Sequence, residues 1–426
     1  MPSSTNKIYD TIIVGAGIAG LYAAYKIKKT DPKKSILILE KSPKSAIGGR
    51  AGTRPFHGSN VAIGAGVGRK SKDHLLIKLL RDLEIPYHEF LAQTHYANSI
   101  AKPCDVAKIF SLLRTEYNRQ KEHWNRVKQP FSTFAKTILG LSEYKLFATC
   151  SGYTDYENAD IYDVLYNYGF EDNFTNWTAL SIPWNDVIQS LIAKIGEKNI
   201  HCSKEVSKIQ SETINDKSIY AVSFTNKTTH YFAHQVILAT TANSVRQLIG
   251  GSIYREIQGQ SFLRVYGKFA KDSIPIMKQW VPKTTIVSGP IHKIIPINPD
   301  EGIYMIIYSD NQSADRLVKY SAENTPENRD TLCRLLERAI GMSIRGLGSP
   351  LKMIAIKSFY WPIGTHYYKP LNREIYENRQ TFIRIVQNPS PGLYVAGEMI
   401  SMDQGWVEGA LDSVEKILPN YFRHIE

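Results

Sequence analysis

Long apolar runs are missing from this chain. No window of its 426 residues approaches the ~18 uninterrupted apolar positions that a membrane-crossing helix needs. The opening MPSSTNKIYD also has no apolar core of a secretory leader. Both absences read as a soluble, intracellular, cytoplasmic protein with no membrane partner. Cysteine is scarce. Cys104, Cys150, Cys202 and Cys333 lie far apart, without CxxC or Cys/His spacing, which argues against a disulfide framework and against a metal site. Free thiols in a reducing compartment are expected. Concentrated charge is absent as well. The net charge of +12 comes from lysines and arginines spread over separate stretches at 26–34, 41–44, 69–72 and 114–128, with no arginine-rich arm. A diffuse positive surface attracts polyanions without selecting among them, so no specific nucleic-acid partner is expected. Nor is there a hydrolase-type triad among the recognisable motifs.

What the chain does have is concentrated near its start. An apolar strand at 11–14 runs into Gly15-Ala16-Gly17-Ile18-Ala19-Gly20, a helix follows, and a second apolar strand at 36–39 ends on Glu40. In a GxGxxG turn the first glycine allows the tight bend and the second lets the backbone approach a pyrophosphate. The third lets the helix pack on the strand. The helix N-terminus offers free N–H groups to the diphosphate. Glu40 stands twenty residues past Gly20, where a carboxylate accepts bonds from ribose hydroxyls and repels a 2′-phosphate. The ligand expected is therefore FAD or NAD, not NADP.

Downstream, Gly48-Gly49-Arg50 is followed by a second glycine-rich turn, Gly64-Ala65-Gly66-Val67-Gly68. Glycines this dense let backbone lie against a flat ligand, and an arginine can hold phosphate. A helix at 74–83 follows. From 91 to 198 the texture turns aromatic and helical, with helices expected at 110–126, 131–139 and 143–148. The tyrosines at 153, 156, 162, 166 and 168 read as packing in preference to a substrate wall. Strands resume from 200 and end in a buried parallel run at 235–239. An antiparallel sheet is expected from 261–270, 285–288 and 302–308, with a helix at 326–340. At the end come a strand at 354–361, a turn at 364–370, a strand and loop over 392–401 and a last helix at 405–418. This gives an α/β fold: a Rossmann-like dinucleotide domain (1–90, 199–250 and 352–426) interleaved with an α+β substrate domain (91–198 and 251–351) built on a mixed or antiparallel sheet.

VGAGIAGL, Glu40-Lys41, Gly48-Gly49-Arg50, Gly64-Ala65-Gly66, VILATTA and VAGEM…GWVEGAL resemble the flavin-containing amine oxidases: monoamine oxidase, polyamine oxidase and L-amino-acid oxidase. The order and spacing hold over nearly the whole chain. The resemblance implies FAD held by Gly15, Gly17, Ile18, Ala19, Gly20, Glu40, Lys41, Gly49, Arg50, Gly64, Ala65, Gly66, Val206, Gly397, Glu398, Trp406 and Val407. The helix after Trp406 would aim its N-terminus at the isoalloxazine, where a dipole stabilises the anionic reduced ring. Three departures stand out. The family's lysine beside flavin N5 is replaced by Arg264, with Lys268 four residues on. A guanidinium is bulkier and keeps its proton. The paired aromatic cage of monoamine oxidase becomes His366 and Trp406. Finally, Thr365 stands where that enzyme carries the cysteine bonded to its flavin, so FAD should be non-covalent.

The resemblance implies oxidation of an amine or amino acid to an imine, with oxygen reduced to hydrogen peroxide. Arg264, Lys268, Trp406 and His366 would be the reaction-side residues. Arg264 could serve a substrate carboxylate, and Asp403 reads as an exposed loop carboxylate. Two alternatives stay open: another flavin reaction of the protoporphyrinogen oxidase or desaturase type, and a flavin-fold protein with a structural or binding role. Substrate identity and oligomeric state, a homodimer included, are not readable.

Overall fold

A computed structural model describes residues 7–168, 176–214, 217–225, 230–342 and 350–423. The expected aromatic segment runs beyond this at 169–173. So do short stretches of the assigned domain spans at 1–6, 343–349 and 424–426, which lie outside the described residues.

The apolar runs that open the chain form parallel strands covered on both faces, which is why they read as continuous hydrophobics and do not alternate. Ile8–Val14 pairs in parallel with Ile36–Leu39 on one side and His230–Leu238 on the other. Leu393–Val395 adds a further parallel strand beside His230–Leu238. The antiparallel strands Val206–Ile214 and Lys217–Phe224 extend the same sheet, and Ile200–His201 closes its other edge. Helices Ile18–Thr30, Trp184–Ile195 and Val407–Arg423 pack together on one face. Helices Ala242–Ile249 and Arg379–Gln387 pack on the other.

A second sheet of six strands runs in the order Met353–Tyr368, Ile257–Phe269, Ile303–Asp310, Lys293–Asn298, Thr284–Ile286, Thr94–Tyr96. Its longest pairing joins Ile257–Phe269 to Met353–Tyr368. That strand takes in the whole of Gly364–Tyr368, so the expected turn there is strand instead. Pairing of Gln260 with Thr365, Gly259 with His366 and Gln258 with Tyr367 holds this segment extended beyond a register shift that takes in Pro362 and Gly364. Pairing also draws this strand into the second sheet, away from the domain in which the sequence places it. Conversely, Trp184–Ile195, assigned to the substrate domain, buries Trp184, Val187 and Leu191 in the nucleotide core.

The aromatic segment supplies helices Val106–Arg119, Lys121–Val127, Phe131–Ser151 and Ile161–Tyr166, with a core of their own. The expected single helix at 110–126 breaks at Gln120, whose φ of −127° leaves the helical region. The two expected after it are present, separated at Gly140, whose φ of 77° and ψ of 164° are not helical. Helix His74–Asp82 and helix Pro326–Ile340 lie where the periodicity puts them. Among the described residues no helix is long and apolar enough to cross a membrane.

Candidate active site

The glycines of the first turn divide by what surrounds them. Gly15 takes φ 106°, and a Cβ there would strike the carbonyl of Ala239. A Cβ on Gly20 would strike the carbonyl of Gly15. Both are demanded by the packing of helix on sheet. Gly17 is different: it holds φ −72° and ψ 176°, open to any residue, and a Cβ there meets nothing within 4 Å. Neither packing nor backbone requires glycine here. An absent side chain facing open space at a helix N-terminus is a cradle for a ligand that approaches the backbone. Gly49, at φ 59°, faces the same gap, its sole neighbour within 4 Å being the Gly17 Cα at 3.6 Å.

Glu40 is fixed at the rim of this cradle. Its carboxylate accepts from the amides of Ala16 and Ser42, each at 2.8 Å. The backbone of Glu40 bonds to His201 and Lys204, which brings the bulged start of strand Val206–Ile214 alongside. Val206 is half-buried against the nucleotide core. Ile18 and Ala19 pack into the core beneath the turn, and Lys41 is exposed.

A second knot gathers residues from distant parts of the chain. Arg50 Nη1 donates to Glu398 Oε1 at 2.9 Å and to the carbonyl of Gly364 at 2.7 Å. His366 Nδ1 lies 2.6 Å from the same carboxylate oxygen, while the amide of Ala242 approaches Nε2 at 3.4 Å. That amide places the ring proton on Nδ1, so His366 donates to Glu398. The Gly405 amide donates to the other carboxylate oxygen at 3.0 Å. Burial pushes the Glu398 carboxyl up, but His366, Arg50 and the Gly405 amide outweigh it and hold the group at about 2. The Arg50 carbonyl accepts from Ala65, and Gly64 is pressed so close to that carbonyl that no Cβ fits. Gly397, at φ 134°, donates its amide to Ser413 on the last helix, which begins at Val407. His366 is thus 3% exposed and faces Glu398.

The Ile63–Gly66 turn is clamped by two indoles that the sequence reading did not single out. Trp361 donates to the Ile63 carbonyl at 2.7 Å and Trp184 to the Gly66 carbonyl at 2.9 Å. Over that turn lies Arg264, whose Nη1 would sit 3.5 Å from a Cβ on Gly66. The strand bearing Arg264 is buried over most of its length, and a bulge between Val265 and Tyr266 resets its alternation. Arg264 is 7% exposed and rests on the ring of Tyr308, its cross-strand partner, at 4.9 Å.

The structure does not bring the other reaction-side candidates to this point. Lys268 bonds to Glu301 in the turn before strand Ile303–Asp310. Trp406 is half-buried with the buried Arg69 stacked on its ring at 3.9 Å, so one face already carries a cation. Asp403, expected to be exposed, is half-buried near Arg69, and burial pushes its carboxyl up.

Beside Arg264 is a cluster that no motif announces. Lys293 is 6% exposed and sets its Nζ 3.2 Å from the ring centre of Tyr153 and 5.8 Å from that of Tyr308. Asp155 accepts from the Tyr168 hydroxyl, and Asp310 accepts from the amide and hydroxyl of Thr154. Burial first, then Asp310, push the Asp155 carboxyl up to about 7; burial pulls the Lys293 amine down to about 7. The tyrosines divide accordingly. Tyr156 is fully buried, Tyr162 and Tyr166 stack at 4.7 Å, and Tyr153 and Tyr168 take part in this cluster. The parts come from residues 153–155, 264, 293 and 308–310, too dispersed for any local pattern to link.

The glycine turn, the helix start and Glu40 define a dinucleotide-type fold, and residues 13–83 match the NAD(P)-binding Rossmann-like domain family. Beyond that unit, the chain as a whole has the fold of the amine oxidases. It superimposes on cyclohexylamine oxidase from Brevibacterium oxydans with a TM-score of 0.74 at 15% identity, covering 99% of this chain and 100% of that one. It likewise matches putrescine oxidase bound to putrescine, with a TM-score of 0.72 at 15% identity, covering 98% and 99% of the two chains. Among curated proteins it is similar to an uncharacterized protein of Acanthamoeba polyphaga mimivirus, 22% identical over 99% of this chain and 95% of that protein.

Proposed function

We propose that the protein is an FAD-dependent oxidoreductase that oxidises an amine or amino acid to an imine, passing the electrons to oxygen to give hydrogen peroxide. The observation that carries the reading is the open glycine cradle at Gly17 and Gly49, with Glu40 at one end. The fold it shares with cyclohexylamine oxidase and putrescine oxidase supports the choice of reaction. The residues fit the cofactor. Gly17 and the start of helix Ile18–Thr30 would hold the diphosphate and Glu40 the ribose. The turn Gly64–Gly66, Arg50 and Gly405 would flank the rest of the molecule. With Thr365 rather than cysteine before His366, it would be held without a covalent bond.

When bound, FAD supplies the hydride acceptor. The chain's own contribution is placement and exclusion of water. Glu398 fixes Arg50, His366 and the Gly405 amide relative to one another, so the two ends of the chain close on one site. Trp184 and Trp361 lock the Ile63–Gly66 turn that faces Arg264. Within this reading we assign Rossmann-type segments to the nucleotide half and the six-stranded sheet with the aromatic helices to the substrate half. The test is oxygen uptake and peroxide release by the FAD-loaded protein over a panel of primary amines, polyamines and amino acids. Turnover of at least one class with peroxide matching oxygen supports the proposal, and no uptake with any of them overturns it.

A further inference from the structure

Lys293 and Arg264 are buried cations that the proposed reaction leaves unused. Both are more than nine-tenths buried, at 6% and 7% exposure. A buried ammonium or guanidinium ordinarily has a carboxylate or a set of acceptors, because an unpaired charge in the interior costs several kcal/mol. Among the described residues neither has a carboxylate within ion-pair distance. The two nearby carboxylates are engaged elsewhere, Asp155 with Tyr168 and Asp310 with Thr154. What lies beside them is aromatic: Lys293 lies over Tyr153, both flank the ring of Tyr308, and Arg264 also meets the Tyr266 hydroxyl. Tyr153 and Tyr308 are half-buried and keep part of their surface accessible. The two cations border these half-buried rings.

We infer that Arg264 and Lys293 form an anion subsite that binds a carboxylate of the substrate, with Tyr153 and Tyr308 as its walls. The inference rests on the proposed oxidase reading for the word substrate and deepens it: the molecule oxidised carries both an amine and an acid. It gives Arg264 a purpose that lysine serves less well, because a planar guanidinium meets a carboxylate with two parallel bonds. The depressed basicity of Lys293 agrees, since burial lowers it against Asp155 and Asp310, and an arriving anion favours the charged form.

The test is calorimetric and needs no turnover. Phenylacetate and its uncharged amide, phenylacetamide, are titrated into the purified protein as isolated, and into Lys293→Met and Arg264→Met. The subsite predicts that the acid binds wild type at least about tenfold more tightly than the amide, and that each variant loses about tenfold or more for the acid alone. Equal affinity for acid and amide, no heat from either up to ~10 mM, or unchanged acid binding in both variants overturns it. The wild-type comparison stands even if a variant does not fold. A protein that prefers the acid yet oxidises nothing keeps the subsite and refutes the oxidase reading; one that oxidises simple amines and ignores the acid does the reverse.

Discussion

Replacing Gly17 by alanine separates ligand binding from folding more cleanly than any other change in this molecule. The residue already sits at φ −72° and ψ 176°, which alanine adopts freely, and the added methyl meets nothing within 4 Å. Two small terms oppose each other. Alanine restricts the unfolded chain and stabilises by about 0.4–1 kcal/mol. As an N-cap it is worse than glycine by a similar amount. The net effect on stability should stay within about 1 kcal/mol. For a dinucleotide whose diphosphate must approach that backbone, the methyl occupies the approach, and affinity should fall at least about a hundredfold, roughly 3 kcal/mol. Gly20→Ala is the contrast. Its methyl would collide with the Gly15 carbonyl, so helix and strand must part, at a cost of roughly 3 kcal/mol or more in stability. The assay pairs thermal melting of the apoprotein with flavin content after incubation with FAD. Gly17→Ala should melt with wild type and retain little flavin, and Gly20→Ala should melt early. A Gly17→Ala protein that binds FAD as wild type does would refute the cradle.

Other perturbations follow from the same geometry. Glu398 is held at about 2 in the folded protein, against 4.5 when unperturbed, so its contribution is intact above pH 4.5 and is lost as pH falls towards 2. At 1.36 kcal/mol for each pH unit this is about 3 kcal/mol, and Glu398→Gln should flatten that limb of a denaturation-against-pH curve. Phenylacetate affinity should weaken as pH rises through about 7, where both Lys293 and Asp155 lose their protons. Arg264, Asp310, His292 and the tyrosines at 153, 168 and 308 face the same groups, and a flat profile in calorimetry would contradict the assignment. Lys293→Met removes a buried amine with no carboxylate at ion-pair distance and should raise the melting temperature of the ligand-free protein; a lower one would mean that the amine has a structural partner.

The Rossmann-like unit was legible in the sequence because its pattern is local. Gly15 through Gly20 and Glu40 lie in one unit of strand, helix and strand, and each glycine has a separate physical reason. The apolar parallel strands were legible for the same cause, since burial on both faces leaves a continuous hydrophobic run. Pairing between distant segments was not. Strand Met353–Tyr368 contains proline and glycine, local signals for a turn, yet the ladder with Ile257–Phe269 holds it extended. The site divides in the same way. Arg50 and Glu398 were readable as motif residues, but that His366 would turn to Glu398 depends on Ala242 and on register across the sheet. Lys293 had no local signal at all, because a lysine at the end of a hairpin looks like any solvated one until burial is known.

An absorbance spectrum taken during anaerobic addition of substrate tests the central claim most directly. Purified protein loaded with FAD should show bound-flavin bands that bleach with an amine or amino acid and return when air is admitted. The anion subsite predicts that the bleaching compound carries a carboxylate. Protein that takes up no FAD, or flavin bands that no amine or amino acid bleaches, would contradict the account.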